Sequence, residues 1–230
     1  MNTGMNALLR CCCLVAAGLG LGLASGCASL RPEATPATPG FYSLDMARGS
    51  AQGLSAVANP VSATAPALVV SVPRAVAGFD SKRIIYQRQP HKLEYFAHGE
   101  WIDTPARMLS PLIVAALESS GTFRAVVHAP GSASGELRLD SEVVLLQHEF
   151  DGTPSHVRFV LRASLVEDAS RRIIATREFE AVVNAASEDT YGGVLAANRA
   201  VQEVLEKLTA FCTEGAQSWQ LGKLQKKPSY

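Results

Sequence analysis

The chain has 230 residues, with 21 Lys and Arg against 21 Asp and Glu, so its formal net charge is zero. Without a basic excess it has little to follow a phosphate backbone with, which excludes a general nucleic-acid binder. About two hundred residues are enough for one sizeable core.

The first ten residues carry one basic side chain, Arg10, and no acid, and residues 11–26 carry no charge. A positive start, an apolar run and small residues describe a secretory signal over residues 1–26. A spanning helix is the alternative, but it needs about 20 apolar residues. This run is shorter and holds Gly18, Gly20, Gly22 and Gly26. Leu23-Ala24-Ser25-Gly26-Cys27 resembles the bacterial lipobox, with Ala24 where Leu usually stands. The resemblance implies a diacylated Cys27 thiol, cleavage before it and acylation of the new amine. Several acyl chains anchor stably where one is marginal, at ~0.8 kcal/mol per buried methylene. Ala28, not Asp, follows the cysteine, which by analogy with lipoprotein sorting implies the outer membrane, periplasmic face.

Residues 27–40 then read as a tether stiffened by Pro32, Pro36 and Pro39. Thirteen extended residues reach at most ~45 Å. Cys11, Cys12 and Cys13 fall in the signal, so Cys212 is left without a partner once Cys27 is acylated. It sits in a helical apolar pattern, so packing is expected of it rather than redox chemistry.

The domain is expected over residues 41–215. A short aromatic strand at 41–44 precedes an Ala-, Ser- and Gly-rich loop at 47–66. The apolar run 67–72 is a buried strand closed by Pro73. Residues 82–87 and 92–96 form a hairpin around Arg88-Gln89-Pro90-His91. Asp103-Thr104-Pro105 starts a helix whose apolar face holds Met108, Leu109, Leu112, Ile113, Ala116 and Leu117. Pro111 either kinks it or places its start at Ser110. Ser120-Gly121 ends it, and 123–128 is a strand.

Residues 136–150, 156–167 and 171–184 alternate as half-buried strands, with Leu137, Leu139, Val143 and Leu145 on one parity. Tight turns make them an antiparallel meander. A last helix spans 190–213, Gly215 stops it, and 216–230 is a polar tail, frayed at the end. The expected fold is α/β or α+β: a single domain, with a mixed sheet and a three-strand meander covered by two main helices.

No catalytic constellation emerges. Gly131-Ser132-Ala133-Ser134-Gly135 lacks the central Ser of a nucleophile elbow. His91, His98, His128, His148 and His156 form no zinc-helix spacing, and no cysteine pair holds a metal. Gly192-Gly193 opens a helix, as a flexible turn or as an anion-binding start. The expectation is a non-enzyme without cofactor or metal. Tyr86, Tyr95, Phe96 and Trp101 form an aromatic, basic group suited either to plugging one edge of the core or to a partner contact, for which Tyr86, Tyr95 and Trp101 are the candidates.

The stretch at 83–109, with Arg83, Ile84, Tyr86, Leu93, Tyr95, Phe96, Trp101 and Pro105, then Gly121 and Phe123, resembles the ABC-type transport auxiliary lipoprotein component family, which is PqiC-like. An early Tyr42-Ser43-Leu44 fits as well. The resemblance spans about residues 41–211, departing in the Ala-rich loop and the tail. It implies an outer-membrane partner of an MCE-type lipid transport system, in which an MCE-domain protein connects it to an ABC permease and ATPase. Ring-like homo-oligomers are compatible with that family. The rival reading is a structural or assembly lipoprotein of another envelope complex. A third, a lipid carrier, needs an apolar cavity of roughly 300 Å³ or more.

Overall fold

The computed structural model describes residues 39–45, 62–130 and 134–225. The expected signal, Cys27, the tether up to residue 38 and most of the Ala-rich loop lie outside them. Among the described residues no helix is long and apolar enough to cross a membrane.

Among the described residues nine strands and two helices follow in chain order: β1 (Gly40–Tyr42), β2 (Ala67–Val70), β3 (Arg74–Ala75), β4 (Arg83–Gln89), β5 (Lys92–Trp101), α1 (Pro105–Ser119), β6 (Ala125–His128), β7 (Leu137–Glu149), β8 (His156–Glu167), β9 (Arg172–Asn184) and α2 (Thr190–Gln225). All nine strands join one mixed α+β sheet.

Strand β7 is its axis. One edge of β7 pairs antiparallel with β8 along its length, and β8 pairs with β9. This is the expected meander. The other edge serves three parallel partners in turn: β2 beside Leu137 and Leu139, β3 beside Glu142 and Val143, and β4 beside His148 and Glu149. Pro73 lies between β2 and β3. It has no N–H to give the ladder, which is why a single apolar strand was expected to end there and β3 was not foreseen. Outside β2 lies β6, parallel; outside β4 lies β5, antiparallel; outside β5 lies β1, parallel.

A register shift between Val143 and Leu145 changes which residues face the core. Before it Leu137, Leu139 and Val143 are buried; after it Leu146 and His148 are. Leu145, expected on the same face as Leu137, is only half-buried, because the extra residue of a bulge reverses the parity beyond it.

Helix α1 is continuous across Pro111. Thr104 is its N-cap and Pro105 its first residue, where the missing N–H costs nothing. Ser110 is therefore not a cap. It is buried and hydrogen-bonded to His128 Nε2 on β6. Leu109, Ile113 and Leu117 supply the apolar stripe. Gly121 follows with φ 63°, the left-handed turn that ends helices.

Helix α2 corrects the expected end of the domain. It runs through Gly215 to Gln225. Gly215 is not a stop: a Cβ there would lie 2.5 Å from Leu165 Cδ2, so the residue lets the helix lie close on β8. Ala216 and Trp219, expected in a polar tail, are buried. The indole Nε1 of Trp219 donates to Glu167 Oε1 at 2.8 Å. Packing against the end of β8 holds the helix past the point where local sequence would end it.

The helices touch each other; α1 packs on β3, β6 and β7, and α2 on β7, β8 and β9. One hydrophobic core lies beneath them. Away from the core, Arg162 reaches Glu142 and Glu178 at 3.0 Å each, and Arg138 pairs with Asp168 at 2.7 Å.

Candidate interaction site on the β4–β5 hairpin

Strands β4 and β5 meet in a two-residue turn, Pro90 and His91, and His91 has φ 67°. Proline before a left-handed residue is the chemistry of a type II turn. The hairpin carries all three sequence-nominated contact residues. Alternation puts Tyr86 and Tyr95 on opposite faces, while Tyr95 and Trp101 share a parity on β5 and are separated by the register shift between Arg83 and Ile85.

Tyr86 turns toward a half-buried aromatic group. Its ring lies 4.7 Å from Phe96 and 5.8 Å from Phe150, and Phe150 lies 4.2 Å from the His148 ring. Arg88 covers this group from outside, 5.0 Å from the Tyr86 centroid and 5.4 Å from that of Phe150. Trp101 is only 3% exposed and belongs to the core, so it offers no surface to a partner. Tyr95 stands opposite Ile85 and is 41% exposed, as is Leu93 two residues before it. Arg83 lies 4.7 Å above the Tyr95 ring, a cation on an aromatic face. Lys92 pairs loosely with Glu94 at 3.4 Å. Of the nominated residues, then, only Tyr95 presents a largely free ring. Leu93, its neighbour, was missed because one leucine in an alternating strand carries no signal of exposure.

The hairpin rests on a buried polar centre that the sequence did not reveal. His148 is 2% exposed. Its Nε2 lies 2.8 Å from Ser155 Oγ, while Nδ1 has no partner. Burial pushes the imidazole down to about 4, His156 adds to this, and Asp189 opposes it. Gly193 on α2 abuts the ring, since a Cβ there would lie 2.6 Å from Nδ1. A Cβ on Gly192 would strike the Ser187 backbone. Asp189 caps the helix, accepting from the Gly192 N–H at 2.7 Å, and this bond together with Ser187 lowers its carboxyl below the ordinary range. Gly192-Gly193 is thus neither a loose turn nor an open anion site. It is a close-packed first helical turn already capped by a carboxylate.

Glu149, Asp151 and His156 bring ligand-type atoms within 4.8 Å of one another. Glu149 is already satisfied, by Arg158 Nε at 3.2 Å and Gln147 Nε2 at 2.7 Å. The guanidinium supplies the positive charge that a cation would bring.

The void among Ile84, Trp101, Leu146, His148 and Gly193 measures about 10 Å³, about the size of one water molecule. The groove between α1 and α2, lined by Ala116, Leu205, Thr209 and Ala210, measures about 630 Å³ and opens to solvent.

The family model for the ABC-type transport auxiliary lipoprotein component matches residues 50–209. The chain belongs to this family. The family is a class of transport auxiliary lipoproteins and not of enzymes. Among solved structures, a Xanthomonas campestris protein of the DUF330 family is 22% identical, with a TM-score of 0.67 over 79% of this chain and 98% of that one. A second crystal structure, of an uncharacterised protein, is 14% identical with a TM-score of 0.58 over 76% and 99%. A hypothetical protein of Chlamydia trachomatis gives 10% and 0.48 over 65% and 96%. The first two likenesses show a shared fold. Comparison with curated proteins found no match.

Proposed function

We propose that this protein is the lipid-anchored auxiliary component of an ABC-type lipid transport system at the outer membrane. Cys27 is the anchor, and the folded domain docks an MCE-domain protein that connects it to the permease and ATPase. The family match over residues 50–209 carries this reading, since it takes in every element from β2 into α2. The lipobox-like Leu23-Ala24-Ser25-Gly26-Cys27 supports the anchor. Anchoring raises the effective concentration of the domain near its partner, so that a weak contact suffices.

Crosslinking the native protein in cells, beside a Cys27→Ala control, tests the reading. Recovery of an MCE-domain protein, lost in the control, is the expected result. Recovery of other envelope proteins only, or the same partner in both strains, would replace it with a structural or assembly role.

A further inference from the structure

The chain enters the sheet at β1. Strand β1 runs parallel to β5, with Gly40 beside Gly99 and Tyr42 beside Trp101. The chain therefore arrives at Gly40 from the side on which β5 begins, which is the tip of the hairpin. From Gly99 back to Lys92 is seven residues of strand, about 24 Å. Gly40 lies thirteen residues after Cys27, a span of at most ~45 Å. The tether is long enough to pass beside the hairpin, with about 20 Å to spare. The hairpin tip can then rest on a bilayer holding Cys27, and β1 and the hairpin share one flank of the sheet.

The composition of the tip suits that place. Leu93 and Tyr95 are exposed side by side on one face of β5. Near the turn Arg88 lies over the Tyr86 and Phe150 rings, and Arg83, from the other end of β4, lies over the Tyr95 ring; among the described residues neither has a carboxylate partner. Amphipathic aromatics beside cations are favoured where apolar matter meets water, as at headgroups. Leu93 stands two residues from His91, about 7 Å from the turn, and Tyr95 about 14 Å. A headgroup layer is about 5–7 Å deep on each side. An upright hairpin therefore brings Leu93 to that layer, and a tilted one brings Tyr95 as well. Asp151, exposed at the same end of the sheet beyond Glu149, repels anionic lipid. The apolar contact must dominate, with net charge of the lipid secondary.

We infer that the tip of the β4–β5 hairpin, through Leu93 and Tyr95, is a second membrane contact that lays the domain on phospholipid headgroups beside its own acyl anchor. This rests on the anchored reading of Cys27. It would fix which face of the domain is turned to the periplasm and left for a protein partner.

The test uses the lipidated chain that begins at Cys27, in vesicles of phosphatidylethanolamine and phosphatidylglycerol. His91→Cys at the tip, or Ala169→Cys in the β8–β9 turn at the far end, carries an environment-sensitive dye. Cys212 is buried and stays unlabelled. A headgroup-spin-labelled phospholipid should quench the dye at position 91 at least threefold more than at 169. Adding Leu93→Glu should reduce quenching at 91 to the level at 169, while the protein still floats with the vesicles and keeps its circular dichroism. Equal quenching at both positions, or no effect of Leu93→Glu, overturns the hairpin contact and leaves the anchor standing. A chain, expressed with its own N-terminus in cells, that does not float with the vesicles overturns the anchor, and the contact with it. Crosslinking from position 91 to protein instead of lipid in cells would reassign the tip to a protein partner.

Discussion

A methyl group on Gly193 would lie 2.6 Å from Nδ1 of His148. Helix α2 and strand β7 approach there more closely than any side chain permits. Gly193→Ala should gain up to about 1 kcal/mol of helix propensity and lose more to overpacking, for a net loss of roughly 1–2 kcal/mol. Gly222, on the same helix with nothing near its would-be Cβ, is the control. Gly222→Ala should stabilise by up to about 1 kcal/mol. Urea midpoints of the two variants check the contrast; equal shifts would remove the close-approach explanation.

Acid should act on the same centre. The His148 imidazole titrates near 4 in the folded protein, below its ordinary 6.5. The unfolded chain therefore binds the proton first. Stability is intact above about pH 6.5, declines as pH falls toward 4, and loses at most roughly 3 kcal/mol from this group. His148→Gln should flatten the stability profile between pH 6.5 and 4. An unchanged slope would place the acid sensitivity elsewhere.

The two aromatic candidates on β5 should behave oppositely. Trp101→Ala opens a cavity in the core and should cost about 3–5 kcal/mol. Tyr95→Ala removes an exposed ring and should cost about 0.5 kcal/mol or less. Thermal melts of both distinguish a core residue from a surface one.

Ending the chain after residue 214 should destabilise it by about 3 kcal/mol or more, because Ala216 and Trp219 leave the end of β8 uncovered. Trp219→Phe, which keeps a ring and loses the bond to Glu167, should cost about 1 kcal/mol. A fully stable truncation would mean that the last turns of α2 are ornamental.

Burial pushes the Cys212 thiol up to about 12. Iodoacetamide at pH 8 should leave it unmodified in the folded protein and alkylate it in denaturant, as intact mass would show. Rapid alkylation of the native chain would contradict its place in the core.

Sequence by itself determined the family, the α+β class, the meander of β7, β8 and β9 and the presence of α1, with its start left open between Thr104 and Ser110. Each rests on short-range patterns: alternation along strands, Thr104-Pro105 at a helix start, and Gly121 at its end. Tertiary structure decided the rest. Tyr95 and Trp101 share a parity on β5, and whether Trp101 is core and Tyr95 surface depends on the register shift between them, which nothing local records. The bulge after Val143 reversed the inward parity, so Leu146 and His148, not Leu145, point to the core. Gly193 reads as a flexible or anion-binding helix start and Gly215 as a helix stop, yet they are points of contact with His148 and Leu165. A glycine has no side chain with which to announce its neighbour, and only the folded chain shows what lies against it.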